Sequence, residues 1–236
     1  ALATDDIEAG WRAKAAVIGA IVLVLCGLTA TLSLSFGREL SRRDAMQAEL
    51  ATLSRTDSLT GLANRRRFDE VFETAWASAR RTGKPLSLLI VDADHFKRFN
   101  DRYGHAVGDA VLKGLARCLS ASVHRPDDLV ARVGGEEFAI LLPDTDVEGA
   151  ERVARKVHAM VGTLVVASAA IGAGSVTVSV GLAGGVGGAG VEAETVYRAA
   201  DTALYAAKEG GRNQTRRATV AGQGAERPAS LRVVQA

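Results

Sequence analysis

The segment Arg132-Val133-Gly134-Gly135-Glu136-Glu137-Phe138-Ala139-Ile140 decides the fold, because two glycines and two acids interrupt residues that are otherwise apolar and β-prone. Leu129 to Val133 and Phe138 to Leu142 have the composition of short strands. A four-residue connection that opens with Gly-Gly suits a tight reversal with positive φ. We therefore expect a β-hairpin with two carboxylates at its tip, although a solvated acidic turn without catalytic function has the same pattern.

A second acidic strand end lies upstream of this hairpin. The apolar run from Leu86 to Val91 is followed directly by Asp92-Ala93-Asp94-His95-Phe96-Lys97, which is typical of a buried strand that delivers carboxylates to its carboxyl end. If the strand lies beside the hairpin, Asp92, Glu136 and the carbonyl of Ala93 form an all-oxygen site that suits Mg²⁺. The segment from Phe96 to Asn100 begins a helix whose first backbone N–H groups can bind phosphate oxygens.

The motifs, taken in order, resemble the GGDEF family of bacterial diguanylate cyclases over nearly all of Thr56 to Thr215. The amino-terminal and carboxyl-terminal ends of this region match the family as well as its centre does. The matching segments are Asp57-Ser58-Leu59-Thr60-Gly61-Leu62-Ala63-Asn64-Arg65-Arg66, Asp92 to Asp101, Tyr103-Gly104-His105, Gly108-Asp109, Gly134-Gly135-Glu136-Glu137-Phe138, Ala200 to Lys208 and Gly211-Arg212-Asn213.

The resemblance implies an α+β fold, an α/β sandwich similar to the palm fold of nucleotidyl cyclases and polymerases. Its central sheet should be mainly antiparallel and flanked by helices. An apolar stripe that includes Phe68, Phe72 and Trp76 follows Asn64, which can cap the helix. A further strand is expected from Val176 to Leu182. The glycine-rich segment Gly181 to Gly190 has no Lys-Ser/Thr after it, so it predicts a flexible hairpin and not a phosphate-binding loop.

For function, the resemblance implies condensation of two GTP into cyclic di-GMP with release of two pyrophosphates, by two domains that face each other in a homodimer. Mg²⁺ is the expected cofactor, and Mn²⁺ is an alternative. Asp92, Glu136 and the Ala93 carbonyl would hold the metal, and Glu137 would assist near the attacking hydroxyl. Other positions match the family's substrate contacts: Asn100 and Asp109 for guanine, and Lys208 and Arg212 for the terminal phosphates. Phe96 and Lys97 at the start of the helix, and Gly134 and Gly135 in the hairpin, are also expected to bind the substrate.

Several of these residues also have simpler interpretations. Asn100 and Asp109 could be helix caps, and Lys208 could be a solvated residue at a helix end, where the helix dipole favours a cation. Glu136 stands where aspartate is commoner in the family, but glutamate also occurs in active members. A catalytically silent receptor for GTP or cyclic di-GMP is the alternative function, and it predicts erosion of the acidic hairpin, which is not visible here.

Arg125-Pro126-Asp127-Asp128 matches the family's Arg-x-x-Asp inhibitory site in residues and in position. A guanidinium pairs well with a phosphate or with a guanine edge, so Arg125 and Asp128 are expected to bind the product and to lock the domains in an unproductive arrangement. An ordinary charged turn is the alternative interpretation.

The remaining sequence predicts the organisation around this domain. Residues 15–37 contain no charge and are long enough for a transmembrane helix, with residues 1–14 as a flank of unassigned origin and 38–55 as a signalling helix or plain connector. The catalytic domain is expected over 56–215 and a disordered tail over 216–236. The predicted location is the bacterial inner membrane with the catalytic domain in the cytoplasm. A net charge of +2 argues against nucleic acid as a partner.

Overall fold

The computed structural model describes residues 25, 27–29, 31–38, 54–164, 176–186, 191–220 and 232–233. The chain divides into two compact units, Ala1–Ser54 and Arg55–Ala236. In the first unit, the described residues before Ser54 are helical and exposed. The predicted signalling helix lies almost entirely outside the described residues.

The predicted transmembrane helix over 15–37 is wrong. Among the residues that the structure describes, no helix combines the length and the apolar composition needed to cross a bilayer. The longest described helical run in this unit, 31–38, is far shorter than the roughly 20 residues that a hydrocarbon core requires. Residues 15–24, 26 and 30 of the predicted span lie outside the described part. The membrane contact predicted through 15–37 rested on this helix and is corrected with it, and the predicted localisation stays a prediction.

The second unit is an α/β sandwich, which confirms the predicted α+β class. Its described helices are α1 (Arg65–Thr82), α2 (Phe96–Tyr103), α3 (His105–Ser122), α4 (Val147–Gly162) and α5 (Ala193–Glu209). Its described strands are β1 (Ala63–Asn64), β2 (Pro85–Ala93), β3 (Leu129–Arg132), β4 (Glu137–Pro143), β5 (Val178–Val186), β6 (Thr215–Thr219) and β7 (Arg232–Val233).

These strands form a mixed sheet in the order β1-β3-β4-β2-β5-β6-β7. The pairings β1–β3 and β5–β6 are parallel, and the other pairings between described strands are antiparallel. The central strand β2 is therefore antiparallel to both of its neighbours, β4 and β5. As a result, the end of β2 lies beside the starts of β4 and β5 at one edge of the sheet.

The central strand is buried on both of its faces by different helices. Leu89 and Val91 pack in a core with side chains of α3 and α4, such as Leu115 and Val157. Leu88, one position away, belongs to a second core that includes α1 and α5 side chains. This alternation is the period-2 pattern of a strand between two helical layers. Asn64 caps α1, as predicted, because its Oδ1 accepts a hydrogen bond from the Arg67 backbone N–H at 3.0 Å.

The glycine-rich segment predicted as a flexible hairpin is a central strand over Gly181–Val186. A Cβ at Gly181 would lie 2.1 Å from the Ala200 carbonyl oxygen and 2.3 Å from the Leu204 amide nitrogen. Gly181 therefore permits α5 to pack directly on the backbone of β5. This close approach places the end of α5, with Lys208, beside the edge where β2 ends. Residues 187–190 of the predicted hairpin lie outside the described residues.

Part of the predicted tail is also strand. Arg216 to Thr219 belong to β6, which runs parallel to β5, and Arg232–Val233 pair with Arg216 and Arg217. The β5–β6 pairing begins at Val180, whose N–H donates to the Gln214 carbonyl at 2.9 Å. Ala218 is 7 % exposed, so β6 contributes to the buried part of the unit. Residues 221–231 and 234–236 lie outside the described residues.

Candidate active site

The predicted hairpin is present and is formed by β3 and β4, with Val133 to Glu136 between them. The N–H groups of Val133 and Gly134 both donate to the Glu137 carbonyl, at 2.9 and 3.2 Å. Neither Gly134 nor Gly135 has a positive φ, so the backbone conformation predicted for them is wrong. Glycine at position 134 instead lets the Glu137 carboxylate keep its position, since a Cβ there would lie 2.6 Å from Oε2 of Glu137.

The last residue of β3, Arg132, anchors this turn. Its Nη2 and Nε donate to the Gly135 carbonyl at 2.6 and 3.1 Å, and its Nη1 donates to Asp57 at 3.2 Å. Burial alone would raise the pKa of Asp57, but hydrogen bonds from Thr60 and Arg132 outweigh it and hold that pKa below its usual value. The amino-terminal motif is thus tied to the acidic turn, a contact between residues 75 positions apart that local sequence patterns do not predict.

The structure brings the predicted acidic residues together. Asp92 on β2 lies opposite Glu137 on β4 in the antiparallel ladder, and the Ala93 N–H donates to the Glu136 carbonyl at 3.3 Å. Asp92 is only 5 % exposed. Burial raises the pKa of Asp92, and the charges of Glu137 and Asp94 raise it further against the opposing effect of Lys208. Burial followed by the charge of Asp92 likewise raises the pKa of Glu136. This edge of the sheet therefore concentrates negative charge in a partly desolvated position.

The Lys208 side chain at the end of α5 does not extend freely into solvent. Its Nζ lies 2.8 Å from Oδ2 of Asp92, and its side chain is 32 % exposed. The ammonium group partly compensates the buried carboxylate, and it reaches that position because α5 packs tightly on Gly181. A predicted phosphate ligand and a predicted metal ligand are thus in direct contact.

The donor set fits a divalent cation by its chemistry. Within the described ranges, no group of three or more His, Cys, Asp or Glu side chains is arranged to hold a metal ion. The predicted set needs only the carboxylates of Asp92 and Glu136, with the Ala93 carbonyl as a third oxygen. Both carboxylates have raised pKa values, and one cation, Lys208, already lies against Asp92. Oxygen ligands under mutual repulsion are the environment that Mg²⁺ stabilises.

Asn100 and Asp109 lie on the consecutive helices α2 and α3, and neither residue caps its helix. The N-cap of α2 is His95 and that of α3 is Gly104. Oδ1 of Asn100 is buried and has no hydrogen-bond partner among the described residues. Gly108 leaves room for it, because a Cβ there would lie 1.8 Å from this oxygen. Asp109 follows Gly108 and is exposed.

The predicted phosphate ligands surround the end of β2. His95 precedes α2 in a left-handed conformation (φ 57°) and makes no side-chain hydrogen bond to the first turn. The Phe96 side chain is buried, so this residue can offer only its backbone N–H, whereas the Lys97 side chain is exposed. Arg212 is exposed in the loop between α5 and β6.

A residue to which sequence reasoning assigned no role, Asp94, lies between β2, β5 and this loop. Its Oδ1 accepts a hydrogen bond from Ser179 Oγ at 2.6 Å. Its Oδ2 accepts from Thr177 Oγ1 at 2.7 Å and from the Asn213 N–H at 3.0 Å. The motif around Asp94 was recognised, but its partners lie more than 80 positions away along the chain.

The Arg-x-x-Asp segment forms a closed turn in front of β3. The Arg125 N–H donates to Oδ2 of Asp128 at 3.1 Å, and Arg125 Nη1 donates to the Asp144 carbonyl and to Thr145 Oγ1. Oδ1 of Asp128 is buried without a partner among the described residues. The turn lines a cavity of about 280 Å³ together with Arg152 and Lys156. The residues that line this cavity thus include the cations Arg125, Arg152 and Lys156, together with Asp128, which has one unpaired buried oxygen.

Known proteins share this architecture. The family profile described as "Diguanylate cyclase, GGDEF domain" matches residues 54–214. The probable diguanylate cyclase DgcT of Escherichia coli K12 is 41 % identical over 163 residues, which are 69 % of this chain and 35 % of DgcT. The chain therefore spans about a third of the length of this curated relative.

Solved structures match the same region. The GGDEF domain of DgcB from Caulobacter crescentus, in complex with c-di-GMP, has a TM-score of 0.63 at 36 % identity and covers 68 % of this chain and 93 % of its own. The active GGEEF domain of a diguanylate cyclase from Vibrio cholerae has a TM-score of 0.60 at 34 % identity, and the match covers 66 % of this chain and 95 % of that domain. The second match carries glutamate in the variable position of the motif, as Glu136 does here.

Proposed function

Because the chain belongs to the GGDEF family of diguanylate cyclases, we propose that it condenses two molecules of GTP into cyclic di-GMP and releases two pyrophosphates. The observation that carries the proposal is the convergence of Asp92, Glu136, Glu137 and Lys208 at one edge of the sheet. Cyclisation requires the 3′-hydroxyl of each GTP to attack the α-phosphate of the other. The chain must therefore bind triphosphate, orient a hydroxyl and stabilise the charge that develops on phosphorus.

The acids would act on the attacking hydroxyl. Asp92, Glu136 and the Ala93 carbonyl would hold Mg²⁺ or Mn²⁺, which when bound lowers the pKa of the hydroxyl and neutralises charge on the transferring phosphoryl group. Glu137 would assist near the hydroxyl, since its carboxylate lies against Gly134 at the tip of the hairpin. The raised pKa of Glu136 supports a site built to bind a cation.

The basic and backbone groups would hold the phosphates. Lys208 and Arg212 supply cations from the end of α5 and the loop after it, while Phe96 and Lys97 supply backbone N–H groups at the start of α2. The N–H groups at a helix start favour anions, and His95 does not cap them with its side chain. Gly134 and Gly135 allow the substrate to approach the backbone of the turn.

Guanine selectivity would come from Asn100 and Asp109. A buried acceptor without a partner costs about 1–3 kcal/mol, so Oδ1 of Asn100 favours a ligand that brings a donor. Guanine presents N–H donors on its Watson–Crick edge, which an amide oxygen and a carboxylate can accept. Adenine offers an acceptor at the corresponding ring nitrogen, so it would leave these groups unpaired.

The active species would be a homodimer. The described residues hold one acidic turn and one buried Asn100 acceptor, a set that suits one GTP. Two copies that face each other would supply the second GTP. Product inhibition would occur at Arg125 and Asp128, because the cavity there combines cations with an unpaired acceptor, groups that suit the phosphates and the guanine edges of cyclic di-GMP.

A product assay tests this function. The full chain, fused at its amino terminus to a dimerising coiled coil, is incubated with GTP and Mg²⁺ and the products are identified by mass spectrometry. We expect cyclic di-GMP and pyrophosphate from the unmodified chain and from Glu73→Gln, an exposed acid on α1, but not from Glu136→Gln. Binding of GTP or cyclic di-GMP without any turnover would instead establish the receptor function.

A further inference from the structure

The Asp94 carboxylate accepts three hydrogen bonds, from donors in two separate segments of the chain. Thr177 precedes β5, Ser179 lies within it, and Asn213 lies in the loop after α5. All three contacts, between 2.6 and 3.0 Å, are short enough for strong hydrogen bonds to a charged acceptor. The Asp94 N–H also donates to the Thr177 carbonyl at 2.9 Å. The carboxylate thus works as a junction within the protein, and its oxygens are already engaged.

The loop held by Asp94 has an unfavourable backbone. Arg212 and Asn213 have consecutive positive φ angles of 63° and 44°, a conformation that costs energy for residues other than glycine. The surrounding structure must therefore impose it. The Arg212 N–H donates to the Ala207 carbonyl at 3.0 Å, and Gln214 Nε2 donates to the same carbonyl at 2.9 Å. These contacts attach the loop to α5, whereas the Asp94 bond attaches it to the sheet.

We propose that Asp94 is a positioning residue, which fixes the loop of Gly211 to Asn213 against the edge of the sheet so that the Arg212 guanidinium faces the triphosphate. The inference rests on the proposed function, because it assumes that Arg212 contacts GTP. In this role Asp94 contacts neither the substrate nor a metal ion, because both of its carboxylate oxygens accept hydrogen bonds from the protein. Asp92, two residues earlier, has no hydroxyl partners of this kind among the contacts described for it and pairs instead with Lys208.

Two substitutions separate positioning from ligand or charge effects. In Asp94→Asn, the amide oxygen can still accept from Thr177 and Asn213, and the Ser179 hydroxyl can rotate to accept from the new NH₂ group. The variant therefore keeps the junction and loses only the charge. Asp94→Ala loses both. A metal ligand or a proton acceptor would fail equally in both variants, whereas a positioning residue is rescued by asparagine.

Hydrogen exchange at the Asn213 amide tests the junction without any ligand or turnover. In the full chain we expect the unmodified protein and Asp94→Asn to protect this amide, and Asp94→Ala to exchange it about tenfold faster or more. Equal protection in all three proteins would overturn the proposal. Because this readout needs no GTP, it also separates the junction from the proposed function.

Binding of GTP and GMP, measured by calorimetry in Ca²⁺ to prevent turnover, tests the effect on Arg212. Asp94→Ala should weaken GTP about tenfold and GMP little, since GMP lacks the terminal phosphates. Arg212→Ala should do the same, and the double variant should bind GTP no more weakly than Arg212→Ala alone. Additive losses, or an equal loss in Asp94→Asn, would overturn the proposal. Failure of the unmodified chain to bind GTP would contradict the proposed function, and hydrogen exchange would still decide whether Asp94 anchors the loop.

Discussion

At the tip of the β3–β4 hairpin, the two glycines differ in the space around them. A Cβ at Gly134 would lie 2.6 Å from Oε2 of Glu137, but at Gly135 it would meet no atom within 4 Å. Gly134→Ala should therefore displace the Glu137 carboxylate and lower cyclic di-GMP formation about tenfold or more, with little change in Tm because the displaced atom ends a flexible side chain. Gly162→Ala at the end of α4, where the added Cβ would also meet no atom within 4 Å, is the control, because Gly135 is itself proposed to lie beside the substrate. We expect Gly162→Ala to keep most of the activity. Equal rates for the two variants would contradict the role of Glu137.

Gly108 should control the base specificity through Asn100. Gly108→Ala would place a Cβ 1.8 Å from the present position of Asn100 Oδ1. We expect about a tenfold loss of GTP affinity and a reduced preference for GTP over ATP, as in Asn100→Ala, because the amide must turn away. Gly162→Ala, with no atom within 4 Å of the added Cβ, is the control. Competition binding with GTP and ATP measures both effects, and an unchanged GTP preference in Gly108→Ala would argue against Asn100 as a guanine contact.

The raised pKa of Glu136 predicts that this carboxylate destabilises the metal-free fold at neutral pH. A group whose pKa is raised on folding contributes stability below its unfolded pKa, and this contribution is lost as pH rises through the folded value. Glu136→Gln should therefore raise Tm at pH 7 without metal, by about 1–2 °C after solvent screening, and the gain should vanish below about pH 4. Mg²⁺ should raise Tm of the unmodified chain more than that of Glu136→Gln. Thermal scans of both proteins at pH 7 and below pH 4, and at pH 7 with and without Mg²⁺, measure these differences. A lower Tm for Glu136→Gln than for the unmodified chain at pH 7 without metal would contradict the prediction.

Among the elements of the fold, the contact between α5 and β5 does most to position the site, because it carries Lys208 to Asp92. Gly181→Ala would push a Cβ into the backbone of α5, which cannot move as a flexible side chain does. We expect a loss of about 2–3 kcal/mol and a fall in Tm of about 5–10 °C. Gly185→Ala on the same strand, whose Cβ would lie 3.2 Å from the Val220 carbonyl, should cost much less. Similar Tm values for the two variants would show that α5 can move away from β5.

The elements also show what the sequence could predict. Strand β2, hairpin β3–β4 and the cap of α1 depend on local patterns, and all were predicted. Only the first part of strand β5 was predicted, as Val176 to Leu182, and its continuation to Val186 was missed because glycine usually interrupts strands. Gly181 is required here by a helix that lies 19 to 23 positions further along the chain. The contacts of Arg132 with Asp57 and of Asp94 with Asn213 were missed for the same reason, since tertiary packing sets both. The apolar run over 15–37 met the composition rule for a membrane helix, but the described residues do not include a helix that can span.

In the whole molecule, the proposed inhibitory turn and the acidic turn lie at the two ends of the four-residue strand β3. Arg125 closes the first turn and Arg132 anchors the second. We expect Arg125→Ala to weaken inhibition by added cyclic di-GMP at least tenfold, because it removes a guanidinium from the cavity. Arg117→Ala, an exposed arginine on α3, should leave the inhibition unchanged. Initial rates over a range of product concentrations measure this, and identical curves for the two variants would leave the Arg-x-x-Asp segment as an ordinary charged turn.

The proposal that two copies each supply half of the reaction is tested most directly with mixed dimers. Heterodimerising coiled coils would pair an unmodified chain with a Glu136→Gln chain, and mass spectrometry would identify the products formed from GTP and Mg²⁺. We expect cyclic di-GMP from the unmodified pair and none from the mixed pair, which can form at most one phosphodiester bond and hence a linear dinucleotide. Cyclic di-GMP from the mixed pair at half the rate of the unmodified pair would show that one chain is a complete enzyme and would contradict the proposal.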